Sequence, residues 1–133
     1  MVSAGISWNS KTQLHFIPKN ERLNAQGNQE LLADGLLPDC ELLYPDGNFI
    51  FQQGGARPHT AVGTIAVLNE RAPAVIGPRE WPAFSPNLNP CDYRLWAYGE
   101  REVYKNGNIA TADELHQRIE VASICLHRFL VCA

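Results

Sequence analysis

The chain has 133 residues, 45% hydrophobic and 19% charged, a composition typical of one folded domain and not of a disordered segment. No stretch approaches the roughly 20 apolar residues of a membrane helix, and the N-terminus has no basic region followed by an apolar core, as a secretion signal would. The net charge of −3 gives no basic excess for phosphate binding, so any DNA contact would have to be local.

The four cysteines are spread along the chain without a CxxC pair, at Cys40, Cys91, Cys125 and Cys132. Structural zinc sites bring their ligands in close pairs, so this spacing argues against one. We expect reduced thiols in an intracellular protein that is not secreted.

The N-terminal residues are predicted to form a β-hairpin with strands at 2–8 and 13–17. Leu14 and Phe16 alternate with polar neighbours, the period-two pattern of a half-buried strand. Proline at position 18 is expected to close the second strand.

A first helix is predicted to begin at Asn24, a favourable N-cap residue, and to run to about Leu36. Gly35 and Pro38 are expected to end it. The sequence PDGN at 45–48 then predicts a turn.

Three short elements follow the turn. Residues 49–53 are apolar at consecutive positions, which predicts a strand covered on both faces. Residues 60–71 carry apolar side chains at helical spacing, and 75–77 predict a small strand.

A proline-rich loop precedes two C-terminal helices. The first is predicted to begin at Cys91 or Asp92, and the second begins at a capping box formed by Thr111 and Glu114. Its apolar face contains Leu115, Ile119, Ala122, Leu126 and Phe129. The order of elements indicates an α/β fold with a mixed sheet, in which the strands at 2–8, 13–17 and 49–53 share one sheet.

Two longer segments resemble a known family. Residues 51–61 read FQQGGARPHTA and residues 81–93 read WPAFSPNLNPCDY. They resemble the QQD-x-A-x-x-HTA and WP-x-x-SPDLNP-x-D/E blocks of Tc/mariner transposases, and the opening MVSAGIS resembles that family's MVWGGIS strand. The resemblance spans nearly the whole chain in the family's order, so residues 1–133 are expected to form one truncated catalytic domain.

The resemblance implies a ribonuclease-H-like mixed sheet with flanking helices, in a nuclear protein that cleaves and joins DNA during cut-and-paste transposition. In this DDE/DDD family three carboxylates hold two Mg²⁺ or Mn²⁺ ions. Asp92 falls on the third acidic position, and Gly54 occupies the second. The first acid belongs to a central strand that precedes the MVWGGIS block, so one carboxylate of three is present.

Carried over in this way, Asp92 is the one catalytic and metal-binding candidate, and it is vestigial; we expect no bound metal here. The family geometry would bring Gly54 and Asp92 to one site, with their Cα atoms within about 10 Å. Asp92 also has a purely structural reading, because an acid in the first turn of a helix is stabilised by the helix dipole. A second departure is Asn87, where the family has an acid that is not a metal ligand.

Arg57 and His59 are the candidates for contacts with nucleic acid. Surface ion pairing for Arg57 and a local hydrogen bond for His59 are the structural alternatives. The other histidines are expected to face solvent: His15, His116 and His127. Three aromatic residues could stack on bases but are expected to lie in the core: Trp81, Tyr93 and Trp96.

The sequence therefore favours a truncated transposase catalytic domain that is inactive as a nuclease, with DNA as the family's partner and a homodimer as a possible assembly. The alternative is a domesticated module on the same scaffold that binds nucleic acid or protein without catalysis.

Overall fold

The computed structural model describes residues 1–8, 10–18, 21 and 23–131, with side chains described through residue 124. The elements are β1 (Val2–Ser3), β2 (His15–Phe16), α1 (Ala25–Leu31), α2 (Leu37–Leu43), β3 (Phe51–Gln52), α3 (Arg57–Thr60), α4 (Val62–Arg71), β4 (Val75–Ile76), α5 (Trp96–Tyr104) and α6 (Ala112–Val131). Leu32–Leu36 and Cys91–Leu95 are π-helical turns, and Pro86–Leu88 is a 3₁₀ turn. The chain is mixed α/β and divides into two compact units, one of residues 1–5 and 12–85, the other of residues 6–11 and 86–133.

The strands of the first unit form two separate pairs. β1 and β2 are antiparallel, with Val2 opposite Phe16, and β3 and β4 are parallel, with Phe51 opposite Val75. The predicted antiparallel pairing is therefore confirmed, but the strands are two residues long instead of spanning 2–8 and 13–17. The small strand predicted at 75–77 is present at Val75–Ile76. The prediction that three strands share one sheet is wrong for the described residues. β1 and β2 are close in sequence and pair with each other, while α4 connects β3 to β4 and lets these two pair in parallel. In the described part of the chain, neither pair hydrogen-bonds to the other.

The first helix continues beyond its predicted end. Asn24 caps it as expected, with its side chain accepting the N–H of Gly27 at 2.9 Å, but the helical path runs on through Pro38 to Leu43. Before Pro38 the ladder widens into a π turn, in which the N–H of Leu37 donates to the carbonyl of Leu32. The wider turn accommodates a proline that lacks an N–H. A glycine in such a turn need not end the helix.

The core of the first unit lies where this long helical segment meets α4. Its buried side chains are Leu32, Leu36, Leu37 and Leu68. Phe51 and Val75 pack against this cluster from the β3–β4 pair, and Ile65 does so from α4. The strand at β3 is not covered on both faces as predicted, because Ile50, just before it, is 66% exposed.

In the second unit α5 contacts α6, and the buried apolar side chains are those of Leu95, Val103 and Ala122. The predicted capping residues act at the start of α6: Thr111 Oγ1 accepts the N–H of Glu114 at 3.1 Å. Glu114 returns a bond to the N–H of Ala110 instead of that of Thr111, at 3.0 Å. Of the predicted apolar face, Leu126 and Phe129 lie outside the described side chains.

Candidate functional site

The first motif segment leaves β3, crosses two glycines and enters α3. His59 closes this loop on itself, because its ring Nδ1 lies 3.1 Å from the carbonyl oxygen of Gly54. A carbonyl oxygen can only accept, so Nδ1 carries the proton and donates. The backbone N–H of His59 also donates to Ala56 O at 2.9 Å. The local hydrogen-bonding role expected for His59 is confirmed.

A buried polar contact fixes this loop to the helices beneath it. The Pro58 carbonyl accepts from Thr64 Oγ1 at 2.7 Å and faces Asn28 Nδ2 at 3.5 Å. Asn28 and Thr64 are both fully buried. Because α1 supplies Asn28, α3 supplies Pro58 and α4 supplies Thr64, these groups join three helices below the motif loop.

Sequence reasoning missed Asn28 and Thr64. The signal for Thr64 was its place four residues before Leu68, on the same buried face of α4. Asn28 gave no such signal, because it lies one turn after the N-cap of α1, where a polar residue is ordinarily exposed. Its Oδ1 and the Oε1 of Gln53 are buried without a hydrogen-bond partner among the described residues.

Gly54 occupies a position with room for a side chain. A Cβ added there would meet no heavy atom of the described chain within 4 Å, and the same holds at the neighbouring Gly55. Neither glycine has a positive φ angle. Both positions can therefore accept an aspartate without backbone strain.

The second motif segment organises the start of the helix that carries Asp92. Asn89 Oδ1 accepts the N–H of Cys91 at 3.1 Å, and Asn89 Nδ2 donates to Asp92 Oδ2 at 3.0 Å. Asp92 is exposed in the first helical turn, and its N–H donates to the carbonyl of Asn89 at 2.9 Å. Asp92 thus has a structural role, because its side chain helps to stabilise the first turn of this helix.

Burial first, and the Asp92 charge second, raise the pKa of the Cys91 thiol to about 11. The thiol of Cys40 has its pKa raised by the same cause, with Asp39 and Glu41 adding to it. Both side chains are free thiols. Neutral thiols at ordinary pH are poor nucleophiles and poor metal ligands.

Two of the three aromatic residues expected in the core are exposed. Tyr93 is 55% and Trp96 44% exposed, while Trp81 is half-buried. The buried side chains in this region are Leu95 and Val103, on the other face of the helix. The spacing of the aromatic residues therefore predicted the wrong buried face. Phe84 is fully exposed and has a φ of 54°, an unusual conformation for a bulky side chain.

His15 was expected to face solvent and does not. Its ring Nε2 lies 2.9 Å from Asp39 Oδ2, an oxygen that also accepts the N–H of Gln13 at 2.9 Å. These two contacts hold Gln13 and His15, in and just before β2, against Asp39 of α2. His116 is exposed as predicted, and the side chain of His127 lies outside the described residues.

The remaining candidates are distributed as follows. Arg57 is exposed at the first position of α3. Gly54 belongs to the first compact unit and Asp92 to the second, and their approach within about 10 Å stays a prediction of the family geometry. Among the described residues, no group of three or more His, Cys, Asp and Glu side chains is placed to hold a metal ion.

Comparison with protein-family models gave no match to this chain, and comparison with curated protein sequences gave none either. Within the described part of the chain, no helix has both the length and the apolar character needed to cross a membrane.

Proposed function

We propose that this chain derives from the catalytic domain of a mariner-type transposase, with a ribonuclease-H-like fold, and that it does not cleave DNA. The observation that carries the proposal is the pattern of strand pairs: an antiparallel hairpin, β1–β2, followed by a parallel pair, β3–β4, connected through α4. In a ribonuclease-H-like sheet the strand bearing the first acid is central. Two pairs of these kinds, in this order, are the ones that would flank it.

The local geometry of both motif segments supports the same proposal. The first segment passes from a strand through Gly54 into a helix, and the second ends in an exposed acid on the first turn of a helix. These are the settings that the second and third carboxylates need, at a strand end and a helix start. The open space at Gly54 is compatible with an ancestral acid there.

The loss of activity follows from the charge at these positions. Two dications about 4 Å apart repel by about 16 kcal/mol at an effective dielectric constant of 20, four times the value for unit charges. Three carboxylates offset this repulsion in the family. At the two family positions that lie within this sequence, Asp92 alone supplies a negative charge, and that charge already accepts a hydrogen bond from Asn89. A stable metal pair is not expected.

The experiment is a Mn²⁺ titration followed by electron paramagnetic resonance. We expect the wild-type chain to bind Mn²⁺ negligibly and Gly54→Asp to gain one weak site, with a Kd on the order of 1 mM. Gly54→Asp/Asp92→Ala should lose that site, because both acids contribute to it. Gly55→Asp is the matched control, since it adds the same charge one residue away and into equally open space.

Either of two results would contradict the proposal. One is a site in Gly54→Asp that survives Asp92→Ala, because the two positions would then not act together. The other is a site in Gly55→Asp as strong as that in Gly54→Asp, because the added charge alone would then explain it.

One observation favours a second function, a non-catalytic binding module. Tyr93, Trp96 and Tyr104 are each at least 44% exposed around α5, and Arg101 stacks 5.0 Å above the ring of Tyr98. Exposed aromatic rings beside an arginine suit stacking with unpaired bases. Fluorescence anisotropy with a labelled single-stranded oligonucleotide tests this function, with Trp96→Ala as the variant. Binding that does not weaken in Trp96→Ala would reject it.

A further inference from the structure

The proline-rich loop that follows β4 contains a hydroxyl group that the proposed function does not use. Residues 77–89, all within the described chain, form turns and the short 3₁₀ turn Pro86–Leu88, with no longer helix and no strand. Ser85 stands directly before that 3₁₀ turn. Among all the serine and threonine residues of the sequence, Ser85 alone is followed by proline.

Ser85 lies in an accessible part of this loop. Residues 82–84 before it and residues 86–88 after it are exposed, and Ser85 itself is half-buried. Its Oγ donates to the carbonyl of Ala83 at 3.2 Å, an exposed contact with a neighbour in the same loop. The hydroxyl can therefore reach the active site of another enzyme through a change that is confined to the loop.

The two residues beside Ser85 suit an enzyme that phosphorylates serine before proline. Pro86 has no N–H, so it fits a kinase groove that offers no acceptor at this position, and it disfavours a helical conformation at Ser85. Protein kinases bind their substrates as extended segments. Phe84, on the other side, has a φ of 54°, which is strained for a bulky residue and is relieved when the segment extends.

The charges around Ser85 also favour a phosphate. No charged residue lies between Glu80 and Asp92 in the sequence. At position 87 the resembling family has an acid, whereas this chain has Asn87, so a phosphate on Ser85 meets no like charge two residues away. The side-chain amide and the backbone N–H of Asn87 are both donors that a phosphate can accept.

We propose that Ser85 is phosphorylated by a proline-directed protein kinase and that Asn87 binds the resulting phosphate. Ser85 Oγ forms a bond to the γ-phosphorus of ATP, the bond from that phosphorus to the oxygen shared with the β-phosphate breaks, and ADP leaves. The hydroxyl proton passes to a base of the kinase. This inference goes beyond the proposed function and does not depend on it, since it uses neither the acidic positions nor a metal ion.

The first test is phosphorylation of the intact chain by a recombinant cyclin-dependent kinase, which is proline-directed, with ATP. Peptide mass spectrometry locates the phosphate and follows the initial rate. We expect one phosphate on Ser85 in the wild-type chain and none in Ser85→Ala. Pro86→Ala keeps the hydroxyl but restores an N–H, so it should lower the initial rate about tenfold or more. Circular dichroism checks that both variants remain folded.

Either of two results of this assay would overturn the proposal. One is a wild-type chain that carries no phosphate on Ser85 after exhaustive incubation. The other is an equal rate in Pro86→Ala, because the proline would then not direct the reaction.

The second measurement tests Asn87, by phosphorus-31 NMR titration of the fully phosphorylated chain. The second pKa of a phosphoserine is ordinarily about 6, and donors from Asn87 should lower it because they stabilise the dianion. Asn87→Asp should raise this pKa by about 0.5 above the wild-type value, because a carboxylate roughly 7 Å away opposes the second ionisation. Asn108→Asp, the same change at an exposed position beyond α5, should shift it by about 0.1 at most. Equal shifts in the two variants would show that Asn87 does not bind the phosphate.

Discussion

Adding a single methyl group at Gly35 should destabilise the protein, although the residue lies inside a helix. A Cβ built on Gly35 would stand 2.8 Å from Cε1 and 2.9 Å from Nδ1 of the His15 ring. The ring cannot move freely, because its Nε2 is hydrogen-bonded to Asp39 at 2.9 Å. Gly35→Ala must therefore displace the ring and break or distort that bond.

The magnitude follows from two opposing effects. Alanine is better than glycine in a helix interior by about 1 kcal/mol. The His15 ring either moves and loses a hydrogen bond to a charged group, at a cost of about 1.5–3 kcal/mol, or stays and keeps an overpacked contact that costs a similar amount. Since one of these costs applies against a gain of about 1 kcal/mol, we expect Gly35→Ala to lower the free energy of unfolding by roughly 0.5–2 kcal/mol.

Chemical denaturation followed by circular dichroism measures this change. Gly27→Ala is the matched control in α1, because its added Cβ would meet its nearest neighbours at an ordinary 3.6 Å. That variant should be unchanged or more stable by up to about 1 kcal/mol. In a His15→Ala background Gly35→Ala should no longer destabilise, which gives a coupling of at least about 1 kcal/mol. A Gly35→Ala protein as stable as wild type, or additive behaviour of the two substitutions, would refute the reasoning.

Three further predictions concern single side chains. With its pKa raised from 9.0 to about 11, Cys91 should react with a disulfide reagent about tenfold more slowly than an ordinary thiol at pH 8. The thiolate is about a hundredfold less populated, and the greater nucleophilicity of that thiolate offsets part of the loss. Mass spectrometry of the peptide that contains Cys91 measures the rate. Phe84→Gly should raise the midpoint of thermal unfolding, because it removes a positive φ from a bulky residue and loses no buried area; a lower midpoint would contradict this. The hydrogen bond from the Ala110 N–H, and secondly the one from Arg118, lower the pKa of Glu114. The ionised Glu114 therefore stabilises the fold above its ordinary pKa, and this stabilisation is lost as the pH falls through the lowered pKa. Glu114→Gln should accordingly flatten the acid side of the stability–pH curve.

The elements that the sequence predicts well are those with local signals. Asn24 and Thr111 cap helices as expected because capping depends on the residue and its next few neighbours. The turn at 45–48 forms for the same reason, with Gly47 at a φ of 69°. Each of these features is decided within one turn of chain.

The errors arise where distant parts of the chain decide. Pro38 does not end the first helix, because a π turn absorbs it, and a π turn has no simple sequence pattern. Whether His15 faces solvent depends on Asp39, which lies in a different element. The face of α5 that becomes buried is set by its contact with α6, which aromatic spacing alone does not reveal.

For the candidate site, the sequence identified residues of the two motif segments but not the side chains that support those segments. It named Gly54, His59 and Asp92, which lie in the loop after β3, in α3 and in the π turn before α5. It did not find Asn28 and Thr64, whose buried contacts with Pro58 support the loop. Polar residues that satisfy one another in the interior have no periodic signature.

The central claim is that the chain cannot hold the metal pair that DNA cleavage requires, and a nicking assay tests it most directly. Purified wild-type protein, Gly54→Asp and Asp92→Ala are each incubated with supercoiled plasmid in Mg²⁺ and in Mn²⁺. We predict no nicking by any of them, because even two acids leave the second ion without enough negative charge, and losing one ion costs several kcal/mol in the transition state, or about three decades in rate. Metal-dependent nicking by the wild-type chain that disappears in Asp92→Ala would contradict the account.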